Sequence, residues 1–290
     1  MRTKFDFQNR TFKFNNAGLS LANSYHPHAF AVRCNDNNCP YDVFNDDEIF
    51  SNGIRKVLSG SFFQKKSYEE LMSQTDQSKQ LIRQVLRRVT GSQMVSNFRP
   101  VTASMIYKLF CDENDTVWDM SCGWGGRLLA SVKAKVNYIG TDPGTQTQKG
   151  LGQMIKTFGD KAYNYELLTM GSEEYRPDKN SLDFAFTSPP YFDCEKYSEE
   201  KTQSYLKYSN INKWKEQFLR KTIKNVHYGL KPNKFLALNV ANVKSYETFE
   251  KDTKTIAKEV GFKLVDTFDL RLSSQQAEFK SEPIFIFKKL

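Results

Sequence analysis

The chain has 290 residues, of which 39% are hydrophobic and 26% charged, a balance typical of a globular protein rather than a fibrous or disordered one. No segment approaches the ~20 consecutive apolar residues of a membrane-spanning helix, and the first residues lack the apolar centre of a secretion signal, so we expect a cytoplasmic protein without a membrane partner. The net charge of +9 suits a polyanionic partner, because lysines and arginines that displace counterions gain affinity for phosphates.

The first ninety residues form an irregular region in which turn signals precede three helical patterns. A first helix is predicted over residues 46–58, and a capping-box pattern at Ser67 predicts a second. From residue 76, apolar residues recur at helical spacing, and the opposite face carries four cations, Lys79, Arg83, Arg87 and Arg88. This basic face is either an ordinary solvated surface or a surface that contacts phosphates.

From residue 116 onward, short apolar runs alternate with helical patterns. Strands are predicted at 116–120, 138–142, 163–169, 182–187 and 235–240, with helices at 127–134, 146–158 and 212–228. Such alternation forms βαβ units and a mostly parallel sheet. After a further helix over 247–260, the runs 262–272 and 284–288 follow each other without a helix and should pair antiparallel. The predicted fold is therefore α/β, with a mostly parallel seven-stranded sheet and an antiparallel last strand.

A glycine-rich turn follows the first of these strands. It begins at Asp119 and continues through Ser121, Cys122, Gly123 and Gly125. Glycines permit positive φ angles and a close approach of ligand to backbone, and ligands of open α/β sheets bind beyond the carboxyl ends of the strands. Asp142 ends the next strand, about twenty residues later, where a carboxylate can bind two ribose hydroxyls. The alternative role for Asp142 is a helix N-cap.

The segment Ser-Pro-Pro-Tyr (residues 188–191) stands at the carboxyl end of the predicted strand 182–187. Its two prolines fix their own φ angles and restrict the residue before each, so the loop is rigid. Rigidity suits a site that holds two hydrogen-bond acceptors and an aromatic face in one geometry. A tight structural turn is the alternative for this segment taken alone.

Together, these features make residues 94–290 resemble the amino-methyltransferases of DNA modification, whose pattern is Asp/Asn/Ser-Pro-Pro-Tyr/Phe on the fourth strand of a Rossmann-like methyltransferase fold. The resemblance implies S-adenosylmethionine as cofactor and a methyltransferase domain over 91–290, preceded by an extension over 1–90. It implies cofactor contacts at Phe98, Pro100, Asp119, Ser121, Cys122, Gly123, Gly125, Asp142, Ser188 and either Ser172 or Glu173. Ser121 stands where the family usually has phenylalanine.

The resemblance also implies a reaction. The exocyclic amine of a base is a poor nucleophile because its lone pair is delocalised into the ring. Ser188 and the carbonyl of Pro189 would accept both amine hydrogens, with Pro190 stiffening the loop and Tyr191 stacking on a base that has left the duplex. Serine at the first position favours the N4 amine of cytosine in DNA over the N6 amine of adenine. RNA or another amine as substrate, and a catalytically silent nucleic-acid-binding module, are the alternatives.

Target recognition requires a further region, because the core has no room for a large insert. The candidates are residues 1–90 and the loop 192–211. This loop interleaves cations and aromatic rings, namely Lys196, Lys201, Lys207, Tyr197, Tyr205 and Tyr208. Such a mixture suits a flipped or single-stranded base, and a mobile lid is the alternative. The biological setting could be restriction–modification or a methyltransferase that acts without a restriction partner.

No metal is expected. The set His26, His28, Cys34 and Cys39 lacks the paired short spacings of common zinc sites. The five dispersed cysteines are predicted to be reduced thiols, and Cys122 and Cys194 to be small buried apolar residues without a catalytic role.

Overall fold

The fold is described from a computed structural model, which covers residues 5–35, 37–58, 73, 89–272 and 281–290. Contacts divide the chain into two compact units. Unit 1 comprises residues 1–27, 97–194 and 198–290, and unit 2 comprises residues 28–96 and 195–197. The two predicted helices after residue 67, including the basic face with Arg83, Arg87 and Arg88, lie outside the described residues.

Short strands and helices follow one another along the whole described chain. The strands are β1 (Phe5–Asp6), β2 (Thr11–Phe12), β3 (Arg33–Cys34), β4 (Thr116–Asp119), β5 (Asn137–Thr141), β6 (Tyr165–Leu168), β7 (Leu182–Thr187), β8 (Glu195–Lys196), β9 (Leu230–Asn239), β10 (Phe262–Arg271) and β11 (Ser281–Lys289). The α-helices are α1 (Leu19–Ser24), α2 (Pro40–Asn45), α3 (Asp47–Leu58), α4 (Pro100–Phe110), α5 (Gly126–Ala134), α6 (Thr145–Phe158), α7 (Ser204–Lys207), α8 (Ile211–Lys213), α9 (Arg220–Gly229) and α10 (Phe249–Val260). A π-helical turn, Trp214–Leu219, joins α8 to α9 in place of the regular helix predicted over 212–228.

The sheet of unit 1 has the order β1-β2-β10-β11-β9-β7-β4-β5-β6. Its centre is parallel from β6 to β9, whereas β11 runs antiparallel to both β9 and β10. This arrangement confirms the predicted Rossmann-like α/β fold with a mostly parallel sheet and an antiparallel last strand. The end of the helix predicted over 247–260 is also confirmed, because Gly261 follows α10 with a φ of 112°, in the left-handed region that favours glycine.

The sheet has nine strands rather than the predicted seven. The two additional strands, β1 and β2, are two residues long, which is too short to show a periodicity in the sequence. Phe5 and Phe12 bury their rings against Phe268 of β10, at centroid distances of 5.1 and 5.7 Å. These contacts place Phe5 and Phe12 in unit 1, and the domain boundary at residue 90 stays a prediction.

Strand β7 lies in the middle of the sheet, and all six of its residues are buried. Phe184 and Phe186 contribute to a core cluster that includes Tyr107 of α4, while Ala185 contributes to the cluster that includes Trp214. A strand covered on both faces is typical of parallel sheets with helices on either side. The chain leaves this buried strand at Ser188, so the Ser-Pro-Pro-Tyr segment stands at the carboxyl edge of the sheet.

Unit 2 contains α2, α3 and the two-stranded sheet β3–β8. Arg33 forms an ion pair with Asp42, with Nη2 and Oδ1 2.8 Å apart, and the rings of Phe44 and Phe50 pack at 6.2 Å. Across the described residues of both units, none of the helices combines the length and the apolar character needed to cross a membrane.

Candidate active site at the carboxyl edge of the sheet

The glycine loop (residues 120–126) connects β4 to α5. Gly123 and Gly125 have φ angles of 51° and 75°, in the left-handed region that favours glycine. A Cβ at Gly125 would lie 2.6 Å from the sulfur of Met154, whereas a Cβ at Gly123 would meet no atom closer than 3.8 Å. The loop therefore packs tightly at Gly125 and leaves open space beside Gly123, where a ligand can approach the backbone.

Asp142 links the glycine loop to the loop after β5. Its carboxylate accepts hydrogen bonds from the backbone N–H of Gly123 at 3.1 Å and of Gly144 at 2.9 Å. Helix α6 begins at Thr145 with Gly144 as its N-cap residue, so the alternative role of Asp142 as that cap is not observed. Burial raises the pKa of Asp142 to about 6, although the two backbone donors act to lower it. Asp142 thus lies beside the open side of Gly123 with a titratable carboxylate.

Asp119 lies behind the glycine loop with no exposed surface. Its Oδ2 accepts from Arg127 Nε at 2.7 Å and from the Tyr138 hydroxyl at 2.8 Å, and its Oδ1 accepts from the Thr187 hydroxyl at 3.1 Å. The structure therefore places this predicted cofactor residue in contact with three side chains of the protein itself, where it can hold the loop in shape.

Arg127 was not identified from the sequence, because an arginine at the start of a helix is usually an exposed cation. Here it is 4% exposed and donates to the backbone carbonyl of Ser121 as well as to Asp119. Its guanidinium also lies over the rings of Phe98 and Phe186, at 5.4 and 5.7 Å. Burial acts to lower the pKa of Arg127, but the charge and hydrogen bond of the Asp119 carboxylate act to raise it. The net pKa lies above the ordinary arginine value, so the buried cation stays charged.

The segment before α4 packs directly on the glycine loop. Asn97 donates from Nδ2 to the carbonyl of Trp124 at 3.0 Å, and a Cβ at Gly126 would lie 1.9 Å from the carbonyl oxygen of Phe98. Phe98 is half-buried and packs edge to face on a ring of β7, while Pro100 is the buried first residue of α4. The predicted residues Phe98 and Pro100 are thus brought to the same edge as the glycine loop.

The Ser-Pro-Pro-Tyr segment follows β7 directly. Ser188 and Pro190 are half-buried, and Pro189 is buried. Tyr191 packs edge to face on Phe249 at 5.5 Å, and its hydroxyl lies 3.5 Å from both the carbonyl of Asn239 and the carboxylate of Glu282. The segment therefore presents a half-exposed serine between a rigid proline pair and the buried end of the strand.

Ser172 and Glu173, which follow β6, are engaged inside the protein. The Ser172 hydroxyl lies 2.8 Å from that of Thr222, and Glu173 Oε1 accepts from Lys207 Nζ at 2.7 Å and from the Tyr208 hydroxyl at 2.9 Å. Both residues are less than one-tenth exposed. Their backbone follows the edge strand next to β5, on the same side as Asp142.

The loop 192–211 packs across this part of the edge. Besides the contacts of Lys207 and Tyr208 with Glu173, the carboxylate of Glu200 accepts from the hydroxyl of Thr145 at 3.1 Å. Tyr205 donates to the carbonyl of Ser198 at 2.8 Å. The three lysines of the loop, Lys196, Lys201 and Lys207, are exposed, and Lys207 is the one bonded to Glu173. These contacts extend from the start of α6 to the residue after β6, so the loop covers the ends of β5 and β6.

Cys122 lies within the glycine loop and Cys194 follows Tyr191 by three residues. Cys122 is 2% exposed and burial raises its pKa well above the ordinary value, which keeps the thiol protonated. Cys194 is also buried and reduced. Within the described residues, no cluster of three or more His, Cys, Asp or Glu side chains is arranged to hold a metal ion. Cys39 donates from its sulfur to Asp42 Oδ2 at 3.2 Å.

Comparisons with known proteins give similarity at the level of three-dimensional structure. No protein-family model and no curated protein matches the sequence. Among solved structures, a SAM-dependent methyltransferase from Methanosarcina mazei is 16% identical with a TM-score of 0.46, and the match covers 64% of this chain and 97% of that one. The cyclopropane synthase MmaA2 from Mycobacterium tuberculosis is 12% identical with a TM-score of 0.43, covering 58% and 62%. TrmN from Thermus thermophilus is 13% identical with a TM-score of 0.45, covering 66% and 49%. At these identities and scores, an assignment of the reaction depends on the site's own residues.

Proposed function

We propose that the chain transfers a methyl group from S-adenosylmethionine to the exocyclic amine of a nucleic-acid base, with the N4 amine of cytosine in DNA as the preferred acceptor. The observation that carries the proposal is the position of the Ser-Pro-Pro-Tyr segment beside the glycine loop. Strands β4 and β7 are parallel neighbours, and the Thr187 hydroxyl bonds to Asp119 across them at 3.1 Å. The two loops that would hold cofactor and acceptor therefore open on the same edge of the sheet.

The residues at this edge fit S-adenosylmethionine. The open space beside Gly123 admits a ligand to the backbone, and the carboxylate of Asp142 stands next to it as an acceptor for ribose hydroxyls. When bound, the cofactor supplies a methyl group on a sulfonium, which is already a good electrophile. The protein then contributes mainly by positioning the acceptor.

Ser188 and Pro189 provide the acceptor side. The serine Oγ and the proline carbonyl can accept the two hydrogens of an exocyclic amine, which lets the nitrogen direct its lone pair out of conjugation. The adjacent prolines have fixed φ angles, so the two acceptors keep their spacing without the entropy cost of ordering a flexible loop.

The target-facing part of the protein is proposed to lie in residues 1–90 or in the loop 192–211. Strands and helices of the sheet fill most of the chain between the glycine loop and Ser188, and Lys207 and Tyr208 of the loop 192–211 are bonded to Glu173. The net charge of +9 supports a polyanionic target. RNA is the alternative polymer.

Transfer of labelled methyl groups tests this proposal. The protein is incubated with methyl-labelled S-adenosylmethionine and, in separate reactions, with DNA, RNA and free nucleosides. We expect label in the DNA fraction. Label in RNA alone would show that the substrate is RNA rather than DNA. Label in none of the three would contradict the proposed activity and favour a catalytically silent binding module.

Asp142 gives a prediction that depends on pH. We expect Asp142→Asn to weaken binding of the demethylated cofactor product ~10- to 100-fold near pH 8, since a hydrogen bond to a charged group contributes about 1.5–3 kcal/mol. The pKa of Asp142 is about 6, so the wild-type affinity should also fall as the pH drops below that value. Calorimetric titrations of both proteins at about pH 8 and about pH 5 measure the two effects.

The stability contribution of Asp142 changes in the opposite direction. Its folded-state pKa is raised above the ordinary 3.8, so the charged carboxylate costs folding free energy above about pH 6, and this cost disappears as the pH falls through 6 toward 4. Protonation of Asp142 therefore removes a folding cost at low pH. Weaker cofactor binding there cannot be attributed to a loss of folding stability at this residue. The Asp142→Asn protein is the matched control, and its affinity should vary less with pH. Equal affinities in the two proteins at about pH 8 would show that Asp142 holds the loop in shape without binding the cofactor.

A further inference from the structure

We propose that Thr187 is a positioning residue that sets the spacing between the glycine loop and the acceptor loop, which is the Ser-Pro-Pro-Tyr segment (residues 188–191). This inference rests on the function proposed above. Thr187 is the last residue of β7 and is 1% exposed, so it touches neither the cofactor nor the acceptor base. It acts through the residues on either side of it, Ser121 in the glycine loop and Ser188 in the acceptor loop.

The hydroxyl of Thr187 makes two hydrogen bonds across the gap between the loops. It donates to Asp119 Oδ1 at 3.1 Å and accepts from the backbone N–H of Ser121 at 3.1 Å. A hydroxyl has one proton to donate, so a bond to a carboxylate fixes the direction of that proton and leaves the lone pairs for the amide. The same N–H also lies 3.4 Å from Asp119 Oδ1, so Asp119 and Thr187 hold Ser121 together, and the Thr187 hydroxyl is the contact that links Ser121 to the end of β7.

The partner carboxylate is itself held in place. Asp119 has no exposed surface and also accepts from Arg127 at 2.7 Å and Tyr138 at 2.8 Å. Hydrogen bonds to charged groups in a buried setting are short and strong, and each bond in such a network polarises the others. Thr187 is thus attached to a fixed point rather than to a mobile side chain.

The position of Thr187 along the strand makes its side chain important. Backbone pairing between β4 and β7 joins Val117 to Phe184 and Trp118 to Ala185. Thr187 lies two residues beyond the second of these pairs, where its hydroxyl bonds connect the two loops directly. Ser188 is the next residue, and the proline after it has a fixed φ. A movement of Thr187 therefore also displaces Ser188.

Methyl transfer is sensitive to this spacing, since a misplacement of 1 Å can cost ~10²-fold in rate. We expect Thr187→Val, which keeps the shape and removes the hydroxyl, to lower kcat ~10-fold or more at saturating cofactor and DNA. Its dissociation constant for the demethylated cofactor product should stay close to wild type. Thr187→Ser, which retains the hydroxyl, should restore kcat.

Tyr138→Phe is the matched control. It removes a hydroxyl from the same carboxylate and should lower stability, but it leaves both hydrogen bonds of Thr187 in place, so it should lower kcat much less than Thr187→Val does. Hydrogen exchange of the Ser121 amide gives a readout that does not need activity: exchange should accelerate in Thr187→Val and not in Tyr138→Phe. If Thr187→Val is too unstable to assay, Thr187→Ala takes its place under the same criteria.

Two results would overturn the inference while leaving the proposed function intact. One is a wild-type kcat in Thr187→Val, and the other is an equal loss of kcat in Thr187→Val and Tyr138→Phe, which would make the network a matter of stability alone. Absence of transfer by the wild-type protein contradicts the proposed function itself, and the inference with it.

Discussion

Replacing Ser188 with alanine should lower the rate of methyl transfer by ~10²-fold, because loss of one oriented polar contact to the reacting group has an effect of this size in comparable sites. The affinity for the cofactor should change much less, since Ser188 lies at the end of β7 and the glycine loop and Asp142 are untouched. Single-turnover transfer with saturating cofactor measures the first quantity, and calorimetry with the demethylated product measures the second.

A matched control lies at the other end of the same strand. Ser181 precedes β7, and its hydroxyl donates to the carbonyl of Asp178 within its own turn, at 2.8 Å. Ser181→Ala should therefore transfer methyl groups at the wild-type rate. If Ser188→Ala does so as well, the serine is not an acceptor for the amine hydrogens and the role assigned to the Ser-Pro-Pro-Tyr segment is wrong.

Replacing Arg127 with methionine should lower the free energy of unfolding by about 3–5 kcal/mol, the range for removing one partner of a buried ion pair. The substitution leaves the fully buried Asp119 carboxyl group without its ion-pair partner. It also removes the guanidinium that lies over Phe98 and Phe186. Urea unfolding at neutral pH, followed by circular dichroism, measures the change.

The comparison for Arg127 is a surface arginine with two ion pairs. Arg220 contacts Glu216 and Glu259, each at 2.6 Å, and both glutamates are about half exposed. Exposed pairs contribute little, so Arg220→Met should cost no more than about 1 kcal/mol. Equal losses in the two variants would show that burial of the Asp119–Arg127 pair has no special effect on stability.

The alternation of strands and helices predicted the centre of the fold well. Apolar runs such as 182–187 indicate buried strands from local sequence alone. The helix predicted over 247–260 ends where expected, at Gly261 with its positive φ. The two-residue strands β1 and β2 carry no such pattern. They join the sheet where β2 pairs with β10 and where Phe5 and Phe12 pack on Phe268, far along the chain. Local sequence does not contain that pairing.

Some features of the candidate site are likewise visible in the sequence, and others are not. Loops with unusual backbone requirements, such as the one around Gly123 and the one after Thr187, are visible in sequence because glycine and proline act locally. The buried partners of Asp119 are not visible, since Arg127, Tyr138 and Thr187 come from three different elements. The bond between Lys207 Nζ and Glu173, at 2.7 Å, was likewise not visible in the sequence, and the role of the loop lysines in binding a nucleic acid stays a prediction.

The central claim, transfer of a methyl group to the exocyclic amine of a base, is tested most directly by identifying the product. DNA is incubated with the protein and methyl-labelled S-adenosylmethionine, digested to nucleosides and separated by chromatography with mass detection. The account predicts labelled N4-methylcytosine, greatly reduced with Ser188→Ala. Labelled N6-methyladenine would keep the amine chemistry and overturn the preference for cytosine. Label on a ring carbon, or no labelled nucleoside from DNA or RNA, would contradict the account.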